Sequence, residues 1–193
     1  MTAPSTAGPG VDSLPLAAGS WALDPKSSSV TFQVRYLGVS NFRGRFDEFD
    51  ATLTVGETLD SVSVTASIEM ASINTAFPMR DTHLHAAEYL NAVGQPRVTF
   101  VSTSVVEGPD GYEAAGDLTI NGVTRPVALT VEYFGSATHP MDGSFRAGFA
   151  ASTVILRSEF GIDFNMPIGV DQFALSDKVK VELDLQFTAP TVS

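Results

Sequence analysis

Lys178-Val179-Lys180-Val181-Glu182-Leu183-Asp184-Leu185-Gln186-Phe187 alternates without a break. Val179, Val181, Leu183, Leu185 and Phe187 fall on one face, and Lys178, Lys180, Glu182, Asp184 and Gln186 on the other. Successive side chains of an extended chain point to opposite sides, so this is a strand with one dry and one wet face. The same period governs residues 61–70, where Val62, Val64, Ala66, Ile68 and Met70 alternate with Ser61, Ser63, Thr65, Ser67 and Glu69. It governs Val30, Phe32, Val34 and Tyr36, and continues beyond Gly38 through Phe42, Gly44 and Phe46.

Working outward, residues 51–55, 98–102 and 112–120 read as further strands. Gly108-Pro109-Asp110-Gly111 punctuates the last two, and Asn121-Gly122 predicts a tight hairpin onto residues 127–131. Residues 145–157 read as one long strand or a bent one. The exception is residues 80–90, RDTHLHAAEYL, which lack alternation. They predict one short helix, capped by Asp81 or Thr82 and ended by Asn91 or Gly94. After Gly161, Pro167 and Gly169 favour a loop over a second helical turn. About eight to ten short strands with no βαβ rhythm mean an all-β fold, an antiparallel barrel or sandwich.

Composition narrows the function. The chain has 193 residues, 44% of them hydrophobic, enough for one domain with a real core. Asp and Glu number 22 against 11 Lys and Arg, a net charge of −11. That balance speaks against nucleic acid or an anionic membrane surface as partner. With no Cys there is no disulfide framework, thiolate nucleophile or Cys-ligated metal. No apolar run reaches the ~18–20 residues of a membrane span. Residues 1–20 lack a basic region and a continuous apolar stretch, and read as a flexible arm without a signal peptide. A domain over residues 21–190 and a cytoplasmic location are the expectation. The unusual number is Phe, 13 against one Trp and four Tyr.

The inward set mixes large rings (Phe32, Phe42, Phe46, Phe100, Phe149) with small residues (Gly44, Ala66, Gly116, Ala147, Ala151). Mixed sizes mean either jigsaw packing or walls set back from a cavity, since eight strands close a barrel that is filled or holds one elongated ligand. Tyr36 lies on the apolar face, where a buried hydroxyl needs a partner. Two enzymatic readings compete. Asp81, His83 and His85 with Glu88 offer metal ligands, but on a helix His83 and His85 would point about 200° apart. Asp163, Asp171 and Asp177 lie among Phe160, Ile162 and Phe164, where a carboxyl beside rings could titrate high for acid–base work. No G-x-S-x-G elbow supports a serine nucleophile. A β-barrel that only binds a partner or serves structurally is the remaining alternative.

The motifs carry a resemblance. Trp21-Ala22-Leu23-Asp24-Pro25, Ser28 or Ser29 before Val30-Thr31-Phe32, and Gly44-Arg45-Phe46 resemble the opening of the YceI-like family. Arg80-Asp81-Thr82-His83-Leu84 is similar to its central motif and Gln95-Pro96-Arg97-Val98-Thr99-Phe100 to the strand that follows. The run from Gly116 to Val127 resembles its hairpin, and Arg157-Ser158-Glu159-Phe160-Gly161 its late motif. The resemblance implies an extended eight-stranded antiparallel lipocalin-like barrel with one short helix between strands. It also implies an apolar tunnel for polyisoprenoid chains such as isoprenoid quinones or polyprenols, or similar long-chain amphiphilic lipids, and no enzymatic activity. Many relatives carry His where this chain has Tyr36, and many are exported.

Burying a CH₂ group is worth ~0.8 kcal/mol, so one isoprene unit is worth about 3–4 kcal/mol relative to water. A long tail arrives from a membrane where it is already dry, so selectivity rests on tail shape and on polar groups near the mouth. Phe32, Val34, Phe42, Phe46, Phe100, Ile120, Phe149 and Phe160 are the expected tail contacts. Tyr36, Arg80 and His83 are the expected head-group contacts. Arg80 and Asp81 have a structural reading as well, with Asp81 capping the helix and Arg80 locking it to the barrel. No metal or cofactor is required. The expected partner is the lipid itself, with no nucleic acid and no stable membrane insertion, and with a homodimer by family analogy.

Overall fold

The computed structural model describes residues 14–191. Strands β1 (Gly19–Leu23), β2 (Ser29–Tyr36), β3 (Ser40–Phe46), β4 (Phe49–Val55), β5 (Ser63–Glu69) and β6 (Ile73–Asn74) precede helix α1 (Pro78–Leu84). After it come β7 (Arg97–Gly108), β8 (Gly111–Ile120), β9 (Val123–Thr138), β10 (Phe145–Leu156), β11 (Pro167–Gly169), β12 (Gln172–Phe173) and β13 (Leu175–Thr188). Pairing runs β1–β4–β5–β7–β8–β9–β10–β13 and returns from β13 to β1, a closed antiparallel barrel of eight strands. Closure leaves no long edge of unpaired backbone groups in that ring. Strands β2 and β3 carry the wall further alongside β13, and β11 and β12 form a separate small hairpin.

The first motif makes the joint between β1 and β2. Asp24 accepts from Lys26 N at 3.1 Å and Ser27 Oγ at 3.0 Å, and Pro25 opens a single 3-10 turn. Ser28 Oγ donates to Asp24 O at 2.7 Å and accepts from Gln186 N at 3.0 Å, so the hydroxyl fills a ladder position the turn removes. One edge of β13 thereby serves β1 at one end and β2 at the other. The Asn121-Gly122 hairpin forms as expected, with φ of 53° and 73°, the doubly positive turn that suits twisted strands.

One end of the barrel is solid. Trp21, Leu53, Val55, Phe149 and Phe187 are buried there, and Leu14 covers them from below. The indole Nε1 of Trp21 donates to Ala17 O at 2.9 Å, which fixes residues 14–18 against the barrel. The expected arm over residues 1–20 is therefore ordered from Leu14, because Leu14 and Leu16 supply apolar contacts to the closed end. Residues 1–13 lie outside the described residues.

The helix differs from its expected bounds. It starts at Pro78, whose fixed φ suits a first helical position, after Phe77 in an extended conformation with no side-chain cap. It stops at Leu84, and turns follow to residue 94. Asp81 caps nothing within the helix. Its carboxylate reaches back to accept from Thr75 N at 3.0 and 3.1 Å and from Thr75 Oγ1. Residues 145–156 form one strand, bent by a register shift at Gly148 and Phe149 against β9. A 3-10 turn over Arg157–Phe160 precedes Gly161 instead of following it.

Candidate functional site

Above the solid end the barrel encloses a cavity of about 810 Å³. Its mouth lies between the β2–β3 turn, the loop carrying α1, and residues 162–175. The wall includes Phe32, Val34, Phe42, Phe46, Phe100 and Ile120, and Tyr36, Arg80 and His83 stand at the mouth. Phe149 and Phe160 are elsewhere. Phe149 belongs to the solid end, with Tyr133 at 5.2 Å and Phe187 at 6.0 Å between ring centroids. Phe160 sits in the 3-10 turn after β10 and packs with Met70, Ala92 and Ile162 as core. Parity gives a residue's face, but the height along the barrel decides whether that face meets core or cavity.

Two glycines of the wall seat aromatic rings. Gly44 faces Phe32 across the β2–β3 ladder, and the ring occupies the place of a Cβ. Gly116 gives the same seat to Phe100. The glycines are jigsaw pieces that let rings lie flat against the wall, and the cavity remains inside those rings.

At the mouth, Arg80 donates from Nε to Thr75 Oγ1 and from Nη2 to Thr75 O, each at 2.9 Å. Its guanidinium lies 4.4 Å from the Phe42 ring centroid, a cation–π contact. Arg80 and Asp81 thus grip the same buried Thr75, and together they tie the helix to β6. His83 is exposed on the helix. Tyr36 is 37% exposed, so its hydroxyl sits at the wet rim and not in a dry interior.

Arg157, not among the expected wall residues, shares its parity with Thr153 and Ile155 and turns inward to the cavity. It is only 7% exposed. Nε donates to Ser176 O at 2.9 Å, and Nη1 donates to Ile162 O at 3.0 Å and Phe164 O at 2.8 Å. Burial pulls the guanidinium below the ordinary arginine range, opposed by the charges of Asp177 and Asp163. These carbonyls fix the loop that roofs the cavity. Leu84, Tyr89 and Leu90, from the segment after the helix start, and Phe164 and Met166 complete that roof.

The enzymatic readings find no assembled site. Asp163, Asp171 and Asp177 are all exposed, and Asp177 accepts from Ser158 N and Oγ at 2.9 and 2.7 Å. Asp81 is committed to Thr75. Among the described residues no group of three or more His, Cys, Asp or Glu side chains is placed to hold a metal ion. Among them, also, no helix is long and apolar enough to cross a membrane.

The YceI-like domain matches residues 21–187. A UPF0312 protein of Staphylococcus aureus strain USA300 is 35% identical over 170 residues, covering 87% of this chain and 96% of that protein. Among solved structures, Burkholderia cenocepacia BcnA superposes with a TM-score of 0.71 at 22% identity, covering 85% of this chain and 98% of BcnA. A polyisoprenoid-binding domain of Saccharophagus degradans, implicated in plant cell wall breakdown, superposes with a TM-score of 0.63 at 15% identity, covering 88% and 98%.

Proposed function

We propose that this chain, which belongs to the YceI-like domain family, is a binding protein and not an enzyme, and that it holds the tail of a long-chain isoprenoid lipid in its barrel. The observation that carries this reading is the cavity of about 810 Å³ behind a wall of Phe, Val, Leu and Ile side chains. That volume lies within the ~300–1,000 Å³ of ligand pockets. Water inside such a wall would find few hydrogen-bond partners, so an apolar occupant is favoured there.

The chemistry of the wall selects the occupant. Phe rings offer no hydroxyl or N–H that must be satisfied, so an unfunctionalised hydrocarbon chain fits them without leaving a polar group unpaired. Charged side chains that touch the cavity gather at the rim and the roof, and Thr153 on β10 is a polar side chain within the wall. In this reading Phe32, Val34, Phe42, Phe46, Phe100 and Ile120 hold the tail, while Tyr36, Arg80 and His83 meet a quinone or alcohol head group near water. Likeness in fold to a polyisoprenoid-binding domain supports the same ligand class. Carriage or sequestration follows from reversible binding with no chemistry at the site.

Native mass spectrometry of gently purified protein, with organic extraction, tests this. A co-purifying isoprenoid is expected. A chain that is lipid-free, and stays lipid-free after incubation with vesicles containing isoprenoid quinone or polyprenol, would overturn the reading.

A further inference from the structure

We propose that the rim of the barrel mouth docks on a phospholipid bilayer surface, an inference that takes its purpose from the lipid-binding reading but stands on separate observations. Two turns project at the mouth. One carries Leu37, Gly38 and Val39, and the other runs from Met166 to Ala174 through β11 and β12. Leu37 N donates to Ala174 O at 2.7 Å, and Ala174 N to Met166 O at 2.9 Å, so the two tips form one unit. Val39 is 82% exposed and Val170 is 90% exposed; Leu37, Met166, Ile168 and Phe173 are exposed beside them. Phe77 and Met79, at the start of α1, add exposed apolar surface at the same mouth. Asp171 is the one charged residue in segments 36–40 and 166–174.

Clustered exposed side chains of this kind mark an interaction site on a protein surface. Leu37 sharpens the point. Its φ is 53°, a left-handed position that turns normally give to Asn, Asp or Gly. Turn chemistry argues against leucine there, and an apolar tip that enters another phase argues for it.

Three observations make a bilayer the occupant. The apolar tips flank the opening that an apolar ligand must cross, and such ligands reside in bilayers. The tips project as turns, which can sink below head-group level, whereas a second copy of the chain would need a broad self-complementary face. The charge is also polarised. Turns at the closed end carry Glu57, Asp60, Glu107 and Asp110, while exposed Arg35 and Arg43 stand on the strands beneath the Leu37 tip. Those guanidinium groups can meet the phosphate oxygens of zwitterionic head groups, which the acidic closed end cannot do, and so the mouth is the end that faces the bilayer.

The test is flotation with phosphatidylcholine vesicles, comparing the protein with the Val39→Asp, Val170→Asp double variant. Both side chains point into solvent, so the fold tolerates the change. The protein is expected to float, and the double variant to associate at least about tenfold more weakly, since each valine withheld from the bilayer forfeits its burial. Equal flotation of the two, or no flotation of the parent, overturns the proposal. A concentration-dependent dimer abolished by the same variant, seen by sedimentation, reassigns the rim to a second copy and also overturns it. Uptake of a short-chain isoprenoid quinone without vesicles is measured in parallel. Loss of uptake in the parent defeats the lipid-cavity reading and leaves docking to be judged by flotation.

Discussion

Phe32 lies across Gly44, its partner in the β2–β3 ladder, and a Cβ on Gly44 would overlap the Phe32 ring. The free end of that ring borders the cavity and can swing. At Gly116 the new Cβ would meet the Phe100 ring and also Val101 O at 2.5 Å, and a backbone carbonyl within a ladder cannot move aside. Overpacking costs typically 1–3 kcal/mol. Gly116→Ala is expected near the upper end, about 3 kcal/mol, and Gly44→Ala near the lower, about 1 kcal/mol. Gly44→Ala should also weaken lipid uptake by turning Phe32 into the cavity. Urea denaturation of both variants checks the order, and the reverse order would contradict the packing described.

The second prediction separates core from cavity. Phe149 packs between Tyr133 and Phe187 in the solid end, so Phe149→Ala should cost about 3–5 kcal/mol. Lipid bound per folded molecule should not change. Phe42 lines the cavity under Arg80 and is only partly buried, so Phe42→Ala should cost less stability and lower uptake. Thermal melts and extracted lipid per folded protein give both readouts. A loss of uptake in Phe149→Ala with stability kept would place that ring in the cavity after all.

Phe149 packs in the solid end while Phe100 borders the cavity, and the difference shows what a sequence encodes here. Both have inward parity, and period two is written plainly in alternating residues. Height along the barrel depends on register and on the shift at Gly148 and Phe149, which no local pattern states. Phe160 lies in a 3-10 turn, where strand parity does not apply. Leu14 and Leu16 looked like arm residues because Pro15 breaks their run, yet two leucines suffice to cover the Trp21 end. Arg157 was hidden by its charge. An arginine at a strand end reads as solvent-facing, and only the carbonyls of residues 162, 164 and 176, far off in sequence or in a loop, make its burial affordable.

Arg157 supplies the third prediction. Arg157→Met leaves those buried carbonyls without a donor, at about 1–3 kcal/mol for each group that water cannot reach. The roof should loosen before the barrel does. Hydrogen exchange is expected to rise across residues 158–176 and to stay unchanged in β7 and β8. Arg157→Lys should rescue little, because an ammonium cannot reproduce the planar fork that reaches carbonyls in different directions. Full protection of the segment in Arg157→Lys would show that charge alone holds the roof.

The last prediction concerns acid at the closed end. Asp142 is held down to about 2, first by the Ser144 hydroxyl, next by Ser144 N–H, with His139 and Arg146 adding their charge. Asp24 is also lowered: burial pushes it up, but hydrogen bonds from Ser27 and Lys26 N–H outweigh that, and Arg146 assists. Arg146 joins the two carboxylates, from Nη1 to Asp24 at 2.8 Å and from Nη2 to Asp142 at 2.9 Å. A carboxyl depressed by folding stabilises the fold above its unfolded value of about 3.9 and loses that contribution as pH falls through the folded value. For Asp142 the loss therefore falls between about pH 4 and pH 2, and the β9–β10 connection should loosen in that window while the cavity walls, built without carboxylate pairs, stay closed. Carboxyl NMR titration of Asp142 reads this directly. Ser144→Ala should raise its midpoint further than Arg146→Gln does, because the Ser144 hydroxyl, 2.6 Å from the carboxylate, is the largest cause of the depression and the Arg146 charge the smallest, at an exposed carboxylate where water screens charge. A larger rise in Arg146→Gln would make charge, and not the Ser144 hydrogen bond, the dominant cause.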